Sequence, residues 1–148
     1  MQGFSRLIAC ALMAVGGAVT IAAAAYAGEP DTVKVELWNK SDGTMGITLS
    51  QDKIKAGAVE FKIKNASGNT MHEFLITPWK QDVKSLPYDA KEDEVAEDKL
   101  PRLAGIEDMK PGTAATLRLA LPPGTYVVFC NQTGHYKMGM ARRLTVTR

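Results

Sequence analysis

Cys130, His135, Met138 and Met140 fall within eleven residues, in the run Cys130-Asn131-Gln132-Thr133-Gly134-His135-Tyr136-Lys137-Met138-Gly139-Met140. The chain holds one other histidine, His72, and one other cysteine, Cys10. A thiol, two imidazoles and a weakly held thioether are the donors of a blue-copper electron-transfer site. The soft thiolate and the borderline imidazoles bind Cu(I) and Cu(II) alike, and a trigonal arrangement suits both states, so little moves when an electron arrives. A long axial thioether favours the reduced metal and tunes its potential. Each residue also has a plainer reading: cysteine is among the most buried residue types, and methionine fills core gaps. His72, between Met71 and Glu73 with Phe74 close by, reads singly as a hydrogen-bonded core histidine. It is the combination that points to a metal.

Elements must bring His72 to the distant loop, and the sequence period says which. Val33-Lys34-Val35-Glu36-Leu37-Trp38 and Val59-Glu60-Phe61-Lys62-Ile63-Lys64 alternate apolar and polar, as half-buried strands do. Leu117, Leu119 and Leu121 share one face, and Tyr126, Val128 and Cys130 share another, opposite Val127 and Phe129. Turn signals stand between these runs: Ser41-Asp42-Gly43, the stretch 65–69, Lys110-Pro111-Gly112 and Pro122-Pro123-Gly124. About seven strands follow, near 33–38, 44–50, 58–64, 70–77, 113–121, 125–130 and 139–147, which implies an antiparallel sandwich or barrel. His72 then lies in a strand, and Cys130 ends one. Residues 81–109 break the pattern. They are rich in Asp, Glu and Lys, and Val95, Ala96, Lys99 and Leu100 at helical spacing predict a short surface helix ending at Pro101. Such a run is ordinarily a solvated crossover; the sharper reading is an acidic docking patch for a basic partner.

The N-terminus reads as a secretory signal peptide over residues 1–27. Arg6 precedes an uncharged stretch from Leu7 to Ala25, and Ala25-Tyr26-Ala27 supplies a cleavage site. Its apolar run has the length of a membrane span, yet it is mostly alanine with Gly16, Gly17 and Thr20, a weak anchor. Leu7-Ile8-Ala9-Cys10 looks like a lipobox, but only nine residues precede Cys10 and the apolar run continues past it. Cleavage after Ala27 is expected, leaving 28–148 as one exported, periplasmic, monomeric domain with no integral span. Of 18 Lys and Arg, only Arg6 lies in the leader, leaving 17 cations against 16 acids. That balance excludes a strongly basic nucleic-acid binder. One cysteine and two histidines exclude a disulfide and a four-ligand zinc site within the domain. A lone thiol in an oxidising compartment is a liability unless a metal uses it.

At these residues the chain resembles the cupredoxins. Cys130-x4-His135-x4-Met140, with Gly134 before the histidine, is similar to the ligand loop of auracyanin- and rusticyanin-like members. The run 69–74, Asn-Thr-Met-His-Glu-Phe, resembles the strand that carries their first histidine, and Pro123-Gly124-Thr125-Tyr126 resembles the opening of their cysteine strand. The resemblance spans roughly residues 33–147. It implies an all-β Greek-key antiparallel β-sandwich with a short helical insert and one copper per chain. His72, Cys130 and His135 would be its equatorial ligands and Met140 its axial one. Met138 and Met140 share strand parity; the four-residue spacer and Gly139 favour Met140. Thr133 stands where many relatives have proline, which implies a looser loop and an easily exchanged metal. Glu73 stands where plastocyanin and azurin have an asparagine that ties the ligand segments together. Its carboxylate would accept backbone or Thr133 hydrogen bonds and lower the potential.

The resemblance implies a carrier of single electrons between redox partners such as a cytochrome or an oxidase. The alternative is a periplasmic protein for copper storage, delivery or resistance, for which Met45, Met71, Met109, Met138 and Met140 are suitable Cu(I) donors. An enzyme is not expected. Catalytic copper sites need further histidines, and no Ser-His-Asp arrangement remains once both histidines are assigned.

Overall fold

The computed structural model describes residues 29–148; the leader, its cleavage site and Cys10 lie outside them. Eleven strands follow in order: β1 Asp31–Asn39, β2 Met45–Leu49, β3 Lys53–Lys55, β4 Gly57–Asn65, β5 His72–Pro78 and β6 Tyr88–Asp89. After these come β7 Glu94–Val95, β8 Ala104–Met109, β9 Ala114–Leu121, β10 Gly124–Phe129 and β11 Ala141–Thr147. One sheet runs β2-β1-β4-β9, the other β3-β11-β10-β5-β8, and β6 pairs only with β7. No helix among the described residues is long and apolar enough to cross a membrane.

Alternation decides which faces meet. Val33, Val35 and Leu37 of β1 point inward while Lys34 and Glu36 face water. Val59, Phe61 and Ile63 of β4 do the same, and β9 adds Leu117, Leu119 and Leu121. From the second sheet Phe74, Ile76, Tyr126, Val128, Leu144 and Val146 close the core. Phe61 and Phe74 meet across it with centroids 5.2 Å apart, a tilted aromatic pair. On the outer face of the first sheet Glu60 is covered by Arg118, whose Nη2 lies 2.6 Å from its carboxylate.

The pairing departs from strict antiparallel order in two places: β1 runs parallel to β4, and β11 parallel to β3. After β2 the chain crosses to the other sheet, lays β3 beside β11, and returns as β4 in the direction of β1. β3 escapes a period reading because it is three residues long with one apolar side chain, Ile54.

The stretch 81–109 is not built as expected. The helix shrinks to one 3-10 turn, Glu97–Lys99, preceded by the β6–β7 hairpin and followed by β8, which pairs with the free edge of β5. A helix through Val95 is prevented because the Asn131 side chain takes both backbone groups of Val95: Oδ1 accepts its N–H at 2.7 Å and Nδ2 donates to its carbonyl at 3.1 Å. Asp93, with φ +58°, reverses the chain just before it. This stretch also packs. Leu86 and Val95, with Val83, Tyr88 and Leu100, cover Leu75, Val127, Phe129 and Tyr136 in a second apolar cluster. That is why β5 and β10 are buried on both faces near the site.

Candidate metal centre

β5 and β10 are antiparallel neighbours, with Leu75 opposite Phe129. His72 opens β5 and Cys130 follows β10, so both stand at the same end of the sandwich. The loop to β11 then folds back on itself. His135 N–H donates to the Gln132 carbonyl at 2.8 Å, Met138 N–H to Gly134 at 3.1 Å, and Gly139 N–H to Tyr136 at 3.1 Å. Met140 N–H donates to the His135 carbonyl, and Cys130 N–H to that of Met140 at 3.1 Å, closing the loop. Two glycines permit this path, Gly134 at φ +79° and Gly139 at φ +102°. At Gly134 a Cβ would also come within 3.1 Å of the Asp93 carboxylate.

Three donor atoms converge. His72 Nδ1 and His135 Nδ1 are 3.2 Å apart, and Cys130 Sγ lies 3.4 Å from His135 Nδ1 and 3.9 Å from His72 Nδ1. Among the described residues these form the metal-competent group. The centre of the triangle is about 2 Å from each corner, the length of a transition-metal–imidazole bond. Burial pushes His72 down to about 4, helped by the neighbouring His135, and burial lowers His135 too. Neutral imidazoles are what a metal needs. Burial pushes the Cys130 thiol up to about 12, against the pull of backbone N–H groups, one of them Glu73 N–H at 3.2 Å from Sγ. A thiolate there requires a cation in contact, and a soft donor with two borderline nitrogens fits copper. His72, Cys130 and Met140 are fully buried, whereas His135 is only partly covered. Met138, by contrast, is 53 % exposed; it and Gly139 lie in a turn, and the last strand starts at Ala141 rather than at residue 139.

Glu73 does tie the ligand segments together, but not through Thr133. Gln132 Nε2 donates to Glu73 Oε1 at 2.6 Å and to Asp108 Oδ1 at 3.2 Å. Thr133 Oγ1 instead donates to Glu94 Oε1 at 2.9 Å. Asn65, seen in the sequence only as part of a turn, proves to be a buried hub. Its Nδ2 donates to the carbonyls of Thr70 and Met109, and its Oδ1 accepts from Ser67 N–H and Oγ. It thereby holds the segment that delivers His72. A pattern reading misses it because asparagine beside serine and glycine signals a turn without saying what the amide binds.

The two-sheet sandwich, with the Cys-His-His triad at one end and Met140 closing the loop, has a cupredoxin-like fold. Among solved structures, the chain is similar to reduced auracyanin from Roseiflexus castenholzii, with TM-score 0.57 and 27% identity over 82% of this chain and 100% of that one. Rusticyanin from Thiobacillus ferrooxidans shares the fold at TM-score 0.55 and 19% identity, covering 80% of this chain and 79% of that chain. So does auracyanin A from Chloroflexus aurantiacus, described as a "blue" copper protein, at TM-score 0.52 and 18% identity over 78% of this chain and 99% of that one. No protein-family model and no curated protein sequence matches the chain.

Proposed function

We propose that the chain is an exported, single-copper electron carrier, with His72, Cys130 and His135 as equatorial ligands and Met140 as the axial one. The observation that carries this reading is the triangle of Sγ and two Nδ1 atoms at the end of a rigid, doubly covered pair of strands. Bound copper would supply the one-electron couple. The protein keeps both imidazoles neutral, shields Sγ from water so that the thiol gives up its proton only to a bound metal, and leaves one partly covered imidazole, that of His135, as the way out for the electron. On this reading residues 1–27 are removed on export and 28–148 act as a monomer that meets a redox partner at the His135 end.

The test is addition of Cu(II) to the purified domain. One equivalent should produce intense visible absorption from thiolate-to-copper charge transfer, and Cys130→Ser should abolish it. His72→Ala should loosen the metal without ending all binding. A copper-handling role is the second reading, favoured by Met71 and Met138, thioethers 41 % and 53 % exposed and within three positions of a histidine in sequence. Protein that stays colourless with Cu(II) yet binds Cu(I) tightly would decide for it.

A further inference from the structure

Five positions of the ligand loop are held from outside the sandwich by the acidic segment 83–97. Asn131 exchanges two hydrogen bonds with the Val95 backbone and donates a third to Glu97 Oε1 at 2.8 Å. Thr133 Oγ1 donates to Glu94, and Gly134 N–H donates to the Asp93 carbonyl at 2.8 Å. Tyr136 Oη accepts Leu86 N–H at 3.0 Å and donates to the Val83 carbonyl at 2.7 Å. Lys137 Nζ stands 4.1 Å from the centroid of Tyr88, whose hydroxyl binds Asp93. Segment and loop also share the apolar cluster around Leu86, Val95 and Tyr136.

We propose that this segment is a brace: it fixes the loop carrying His135, so that copper exchanges slowly and the donors stay in place when the metal changes charge. Asn131, Thr133 and Tyr136 are positioning residues, acting on the site through the loop. The cargo named here rests on the copper reading above; the bracing of the loop does not. A loop that must open to release a metal first breaks these bonds, and opening would strand the Val95 amide and carbonyl in a dry cluster. The carboxylates of Glu94 and Glu97 each accept a hydrogen bond from the loop and that of Asp93 stands 3.9 Å from Lys137 Nζ, while Asp89, Glu92 and Asp98 stay exposed.

Two measurements test this on the folded domain: amide hydrogen exchange at Gly134 in the metal-free protein, and the rate at which a chelator removes copper. Asn131→Ala leaves both backbone groups of Val95 unpaired and should raise both rates about tenfold or more. Glu94→Ala removes one partly exposed bond and should raise both about fivefold. Glu94→Gln keeps an acceptor oxygen and should stay near wild type, which a loss of charge alone would not predict. Unchanged exchange and release in Asn131→Ala overturn the brace. If that variant does not fold, the Glu94 pair decides, and equal behaviour of Ala and Gln there overturns it. If wild type takes up no copper, the functional reading fails while Gly134 exchange still judges the brace by itself.

Discussion

At Met140 the side chain is fully buried behind the loop, whereas Met138 projects into solvent two residues earlier. On the assignment made here, Met140→Leu removes a weak axial donor and leaves an aliphatic pocket that disfavours Cu(II). Voltammetry should show a raised potential, with a stability cost under ~1.5 kcal/mol because the swap nearly conserves volume. Met138→Leu should leave the potential in place and change stability by less than ~0.5 kcal/mol, as surface substitutions do. The reverse pattern would move the axial ligand to Met138. Glu73 offers a second test at this scale. Burial raises its carboxyl, Gln132 opposes that, and Asp108, Glu107 and Glu97 add to it. Glu73→Gln retains an oxygen for Gln132 and deletes a negative charge near the metal, so the potential should rise. A potential that falls or stays level would mean that this carboxyl is already neutral in the holoprotein or is screened from copper.

The elements that matter most are the ends of β5 and β10 and the turn that starts β5. Asn65 anchors that turn with an amide satisfied on both sides. Asn65→Ala should cost about 2–4 kcal/mol in chemical denaturation, because the carbonyl of Met109 and the hydroxyl of Ser67 lose a buried partner. It should also weaken copper binding, since the segment 65–71 leads directly into His72. That stability cost with copper affinity intact would separate the turn from the site. The register shift between His72 and Phe74, where β5 meets β8, lies at the same place. It breaks the ladder just where the first imidazole must turn toward Cys130.

For the whole molecule, the metal and the core should act on one folding equilibrium. A ligand bound only by the native state adds RT ln(1 + [L]/Kd), about 4 kcal/mol at a thousandfold excess over Kd. Thermal melts with and without copper should therefore differ by many degrees, and coincident melts would mean that the triad is not a working site. Phe61→Ala empties the centre of the interface between the sheets, where the ring meets Phe74. It should cost about 3–5 kcal/mol. Because Phe61 supplies no donor atom, excess copper should restore much of that loss, and failure to do so would mean that the cavity reaches the site.

Much of this was legible in the chain itself. Alternation in residues 33–38 and 58–64 marks the core faces because a strand has period two whatever it packs against. The spacing from Cys130 to His135 and Met140 is local, and so survives in one dimension. What stayed hidden depends on contacts far apart in sequence. The approach of His72 to His135, separated by 63 positions, follows only from the pairing of β5 with β10. Residues 91–100 carry a helical spacing, yet the Asn131 amide and the apolar faces of Phe129 and Tyr136 draw them into a hairpin and one 3-10 turn. The sequence by itself determined the candidate donors and the sandwich, since residue type and period need no partner. Tertiary structure alone decided which methionine is buried, what Glu73 and Thr133 bind, and that the acidic stretch grips the ligand loop. A side chain's hydrogen bonds are chosen by whatever the fold places within three ångströms of it, and no local pattern records that.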